Sequence, residues 1–129
     1  MAKKTPAEKM HCKPGLSVAL LHAPEGMREA LGFPENAIYT DDPGSAAFIL
    51  AFATTQAEAE ATLTDLAPHV RDTTLTWVAY PKGSRVAGRN VSRDTVWRFA
   101  PSVGLTLVAN VAIDETWSAL RLKPDTERR

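Results

Sequence analysis

Ala46 to Ala53 (AAFILAFA) is apolar at every position. A strand with one wet face alternates apolar and polar residues. An unbroken run instead suits a strand covered on both faces, the usual condition of a parallel sheet between helix layers. Leu16–Leu21 has the same character and ends at His22-Ala23-Pro24. Two such runs in a chain of 129 residues, 44% hydrophobic, predict one α/β domain with a buried sheet.

The segments between them have the chemistry of helices and turns. Met27, Ala30 and Leu31 fall at helical spacing, and Gly32 and Pro34 stop that helix. Ala37–Thr40 is a brief strand, and Asp41-Asp42-Pro43-Gly44 is turn chemistry. Thr55 followed by Glu58 predicts a capping box that opens a helix lined by Ala59, Leu63, Leu66 and Ala67, with Pro68 at its close. Thr74–Tyr80 is rich in β-branched and aromatic residues, a strand that Pro81-Lys82-Gly83 ends. Ser92 caps a further helix with Val96, Phe99, Ala100 and Val103 on its apolar face, closed by Gly104. Leu105–Ile113 is a strand, Asp114-Glu115-Thr116 turns the chain, and Trp117–Lys123 runs back. So short a connection permits only an antiparallel return. Residues 1–14, with four lysines, one acid and no periodicity, read as a mobile basic arm; 15–124 form the domain and 125–129 a polar tail.

Several function classes are disfavoured at once. One cysteine, Cys12, leaves no disulfide framework, and the His11-Cys12 pair has no second ligand pair at zinc spacing, so no metal is expected. Leu16–Leu21 is far short of the roughly 20 residues of a membrane span, and no cleavage signal precedes it, so no membrane association and a cytoplasmic location are expected. Fifteen basic and fifteen acidic residues balance, which argues against a nucleic-acid partner. The balance is a cancellation. Residues 1–24 hold four basic and one acidic residue, 25–70 one and eight, and 71–129 ten and six.

In open α/β sheets ligands bind beyond the carboxyl ends of the strands. The residues following successive strands there are His22 and Glu25, then Asp41 and Asp42, then Thr54 and Thr55, then Lys82, with the Asp114–Trp117 turn on the same edge. His22 is a candidate base, Asp41 or Asp42 a candidate ribose acceptor, and Trp117 a stacking platform or core residue. Each has a plain structural role as an alternative: strand end, turn or cap. The stretch Lys82–Arg93 carries Lys82, Arg85, Arg89 and Arg93 without an acid and leads into a helix start, which reads as an anion or acidic-partner clamp or as a solvated loop.

The order of elements resembles a trimmed class I methyltransferase, the Rossmann-like fold that binds S-adenosylmethionine (SAM). The resemblance implies a three-layer sandwich around a mainly parallel six-stranded sheet of order 2-1-3-4-6-5, the last strand antiparallel, with one strand of the usual seven missing. The chain also resembles a small bacterial domain family of unknown function through Lys13-Pro14-Gly15, the Trp77 strand ending in Pro81-Lys82, and a closing Asp114-x-x-Trp117-Ser118-x-x-Arg121-Leu122. In that motif Asp114 and Ser118 would brace the turn and Arg121 would pair with an acid across the sheet.

Working methyltransferases follow the first strand with a glycine-rich loop. His22-Ala23-Pro24-Glu25-Gly26 has one glycine, and neither a Gly-x-Gly-x-x-Gly nor a Walker loop occurs. The reading is therefore a non-catalytic binding or self-association module without a cofactor, its contacts on the Lys82–Arg93 stretch and the Asp114–Trp117 turn and its partner a protein or a second copy. The alternative is a minimal enzyme or small-ligand binder of SAM or nucleotide type at the carboxyl edge.

Overall fold

The structure is a computed structural model that describes residues 5–82 and 91–125. Six strands form one sheet: β1 Ser17–Leu21, β2 Ile38–Tyr39, β3 Phe48–Phe52, β4 Leu75–Pro81, β5 Leu105–Ala112 and β6 Trp117–Pro124. Their order is β2-β1-β3-β4-β6-β5, as the resemblance implied. β1 pairs in parallel with β2 and β3, and β3 with β4, while β6 is antiparallel to both β4 and β5. A bulge between Leu107 and Ala109 shifts the β5–β6 register.

The apolar run explains the centre of the sheet. All five residues of β3 are buried, and they alternate between two core layers. Ile49 and Ala51 face the layer built with Leu63, Leu66, Val78, Val96 and Leu120. Phe48, Leu50 and Phe52 face the layer built with Leu31, Trp77 and Ala119. Helices α3 (Gln56–Leu66) and α4 (Arg93–Phe99) supply the first layer, while α1 (Pro6–Lys9) and α2 (Met27–Leu31) supply the second.

Local chemistry sets the helix ends. Ser92 Oγ accepts from Thr95 N, and Thr95 Oγ1 accepts from Ser92 N, a reciprocal capping box. After α4 the chain tightens into a 3-10 turn over Ala100–Val103, where Pro101 cannot donate to the α ladder, and Gly104 closes it at φ 77°. The box expected at Thr55 and Glu58 is only half present. Thr55 Oγ1 accepts from Glu58 N, but Glu58 Oε1 reaches one residue further back, to Thr54 N at 2.8 Å and Thr54 Oγ1 at 2.9 Å.

The segment expected to be a mobile arm is different in its described part. Thr5 caps α1, with Glu8 returning to Thr5 N, and Ala7, Met10 and Cys12 are buried in the second layer. Thr5 Oγ1 donates to the Gly32 carbonyl at 3.0 Å and ties α1 to the end of α2. Ala7 in α1 and Met10 and Cys12 just after it turn inward, while Lys9 and Lys13 are exposed. Among the described residues no helix is long and apolar enough to cross a membrane.

Candidate functional site

The carboxyl edge of the sheet gathers the polar segments that follow β1, β3, β4 and β5. At one end, Lys82 N donates to Thr116 O at 2.7 Å, so the end of β4 and the β5–β6 turn are stitched together. Asp114 Oδ1 accepts from Thr116 N at 2.8 Å and Trp117 N at 2.7 Å, an Asx turn that occupies one carboxylate oxygen with backbone. Ser118 is 3% exposed and donates to Asn110 Oδ1 at 2.6 Å across the hairpin. Trp117 packs edge-to-face on Phe52 with ring centroids 5.0 Å apart, so it is half-buried against the second layer. Pro81 is buried opposite Trp117 in the β4–β6 ladder.

Phe52 links this end to a second feature. His22, held at φ 58° just past β1, lines a pocket of about 420 Å³ with Phe52 and four residues of α3: exposed Glu58, Ala61 and Asp65 and buried Thr62. Helical spacing of 58, 61, 62 and 65 places these four on one stripe of α3. The pocket therefore pairs an apolar floor with two carboxylates and an imidazole. Glu25 is exposed in the loop beyond His22 and is not among the residues lining the pocket. Sequence reading placed His22 here but missed Glu58 and Asp65. On a helix such acids read as a solvated face, and only the strand order carries them to the end of β1.

Asp42 does structural work. It caps a 3-10 turn over Pro43–Ser45, accepting from Gly44 N at 2.9 Å and Ser45 Oγ at 2.7 Å. The Ser45 hydroxyl, then the Gly44 amide, hold its carboxyl below the usual carboxylate range. Asp41 beside it is exposed. Arg121 shows no ion pair among the described residues, contrary to the expected cross-sheet partner; its Nε is buried and without a hydrogen bond. It lies in β6 between Trp77 and Ala109, where the neighbouring strands offer an indole and a methyl group and no carboxylate.

Of the basic stretch, Lys82 and Arg93 are described and both are exposed; Arg85 and Arg89 lie outside the described residues. The surface beyond Arg93 carries a feature that sequence reading passed over. Trp97 is 54% exposed and, with Arg93, Asp94 and Arg98, lines a shallow depression of about 450 Å³ on α4. The signal was present: Trp97 falls off the Val96–Phe99–Ala100 stripe, so burial of that stripe turns the indole outward.

No protein-family model matches the chain, and no curated protein matches it in sequence. Solved structures do match in shape. A protein of Sulfolobus solfataricus, provisionally named a type 11 methyltransferase, is similar at 11% identity and a TM-score of 0.55, over 93% of this chain and 89% of that one. A TehB-like SAM-dependent methyltransferase of Corynebacterium glutamicum gives 9% identity and 0.55, over 95% and 89%. LepI in complex with SAM gives 13% and 0.54, over 92% of this chain and 38% of that one. The fold is thus methyltransferase-like, a Rossmann-like mixed sheet with its final strand inserted antiparallel.

That fold implies SAM at the carboxyl edge, where the loop after β1 offers a single glycine, Gly26. Gly26 sits at φ 79° with open space where a Cβ would stand, and its left-handed backbone lets the chain turn into α2. Of the two carboxylates after β2, Asp42 is bound into its own turn and Asp41 is exposed.

Proposed function

We propose that the chain is a non-catalytic binding module on a methyltransferase-like fold, working in the cytoplasm and associating with a second copy of itself, basic face to acidic face. The observation that carries this reading is Trp97, 54% exposed beside Arg98 and the Arg93–Asp94 ion pair (3.8 Å) on a helix whose Val96 is already buried. Tryptophan and arginine are the side chains that most often anchor protein interfaces, because both bury much area and keep a polar handle. The complementary surface is the His22–Glu58–Asp65 pocket with its Phe52 floor. Apart from His22 its lining comes from residues 25–70, which hold eight acidic residues and one basic, while residues 71–129 carry ten basic and six acidic. The structural duties of Asp42, Asp114 and Ser118 support a role other than catalysis.

Sedimentation velocity tests the reading. A contact between two different patches is heterologous, so copies add head to tail and assembly continues past the dimer unless a ring closes. The weight-average sedimentation coefficient should rise with concentration at low salt and fall back as salt shortens the screening length from about 30 Å at 0.01 M to about 8 Å at 0.15 M. A monomer at every concentration and salt would overturn the proposal. Thermal shift with SAM, S-adenosylhomocysteine and nucleotides provides the contrast: a saturable rise there would favour the small-ligand alternative at the carboxyl edge.

A further inference from the structure

The opposite edge of the sheet holds a second, chemically distinct cavity. At the amino ends of β1, β3 and β4 a pocket of about 500 Å³ is lined by His11, Lys13, Thr73 and Arg121 over an apolar wall of Leu16, Ala47 and Leu75. Every ionisable group among its described lining residues is a base.

The fold builds this arrangement deliberately from the N-terminal segment. Met10 and Cys12 are buried in the second layer, so His11 and Lys13, which alternate with them, are turned out of the core. His11 takes φ 69°, in the left-handed region that histidine tolerates better than most residues, and this bend lets Cys12 N close onto Ala7 O at 3.0 Å. The bend brings the 11–13 segment over the amino edge. Arg121 comes from the other side, on β6, its place in the ladder fixed by Trp77 across from it. Arg121 Nε is buried and has no hydrogen-bond partner among the described residues, and the Trp77 indole N–H is in the same condition. A buried donor left unpaired is costly, and a guanidinium N–H in particular is suited to an anionic oxygen.

The geometry points to this pocket as a binding site for a small amphipathic anion, a phosphate or carboxylate head on a short apolar body. Arg121, Lys13 and His11 would hold the head, and Leu16, Ala47 and Leu75 the body. Nothing in this inference rests on the carboxyl-edge surface or on self-association. Its position at the amino edge also separates it from the place where the methyltransferase-like fold implies a cofactor.

Isothermal titration of the full chain with hexyl phosphate, hexanoate, inorganic phosphate and 1-hexanol tests it. At least one of the two amphipathic anions should bind saturably, and whichever binds more tightly identifies the head group. The neutral alcohol should bind at least tenfold more weakly, and inorganic phosphate more weakly than hexyl phosphate. Arg121→Met should weaken binding about tenfold or more, since it removes a charge-assisted hydrogen bond, and Lys13→Gln should weaken it by a smaller factor. Because Arg121 sits inside the sheet and its substitution can disturb folding, the exposed Lys13 provides the second variant. The inference fails if neither anion saturates up to millimolar concentration, if 1-hexanol binds as well as the anions, or if Lys13→Gln and a folded Arg121→Met both bind as the native chain does.

Discussion

Met10→Ala measures how far the N-terminal segment belongs to the core. Met10 is fully buried in the second layer, together with Leu31, Phe48 and Trp77. The substitution deletes Cγ, Sδ and Cε. At about 0.8 kcal/mol per methylene-sized group the lost transfer energy is roughly 2 kcal/mol. Because the wall opposite the side chain is a sheet, which cannot follow it inward, a cavity cost adds to this. The total should lie in the range of about 2–5 kcal/mol found for such truncations. Against a total stability of about 5–15 kcal/mol for a domain, that is a large fraction. For a chain of this length, it corresponds to a fall in Tm of roughly 10 °C. Urea and thermal unfolding followed by circular dichroism read it, with the exposed neighbour Lys9→Ala as control, expected within about 0.5 kcal/mol of the native chain. If Met10→Ala also stays within about 0.5 kcal/mol, α1 is not part of the cooperative core and the packing described for it is wrong.

Gly32→Ala should destabilise the protein by about 1–2 kcal/mol for the left-handed backbone alone, and by more in total because the new Cβ would stand 2.7 Å from Thr5 Cγ2. Thr5→Gly in that background should recover part of the loss, and strictly additive effects in the double-mutant cycle would contradict the contact. Burial pushes the Cys12 thiol up to about 11 from 9.0. Below pH 9 the thiol is protonated in both folded and unfolded chains; between pH 9 and about 11 only the unfolded chain ionises. Native stability should therefore fall by about 1.4 kcal/mol per pH unit across that window relative to Cys12→Ala, and parallel curves would refute it. Asp42 has the opposite sign: its carboxyl is held low by Ser45 and Gly44, so its contribution is present above the ordinary carboxylate pKa and disappears as pH falls through the lowered value. Chemical denaturation of Asp42→Ala against the native chain at neutral and strongly acidic pH should show a gap that closes in acid; a gap independent of pH would contradict the hydrogen-bonded turn.

The sheet was legible because burial on both faces imprints itself directly on sequence: β3 is apolar throughout, and β4 is buried on both sides although its residues alternate in size and polarity. The insertion of β6 between β4 and β5 came from the resemblance to methyltransferases, since a short turn fixes only an antiparallel return and not the neighbour on the other side. Features shorter than a helical period were misread. Ala7, Met10 and Cys12 do not repeat often enough to show a stripe, and four surrounding lysines made the segment look solvated. Glu58 caps Thr54 and not Thr55 because a long side chain can choose between adjacent amides, a difference spacing cannot resolve. At the site, residues lying on strands and turns were placed by topology: His22, Asp114 and Trp117 all fall on the expected edge. Residues that reach a site from a helix's outer side, Glu58, Asp65 and Trp97, were not found, because exposure on a helix is the ordinary fate of a polar residue and only packing reveals which exposed residues face each other.

Head-to-tail association makes a demand that no other mode of self-contact makes. A variant with its basic face broken, Trp97→Ala with Arg98→Glu, keeps its acidic pocket. A variant with that pocket reversed, Asp65→Lys, keeps its basic face. Each alone should sediment as a monomer, with the loss of the Trp97 anchor alone weakening association about 30-fold. Mixed in equal amounts under the low-salt conditions where the native chain assembles, the two should form a one-to-one dimer and nothing larger, because a single complementary pair of faces remains. Sedimentation of that mixture decides the matter: a dimer is the predicted result, and a mixture that stays monomeric while the native chain assembles would contradict the pairing of the α4 face with the His22–Asp65 pocket.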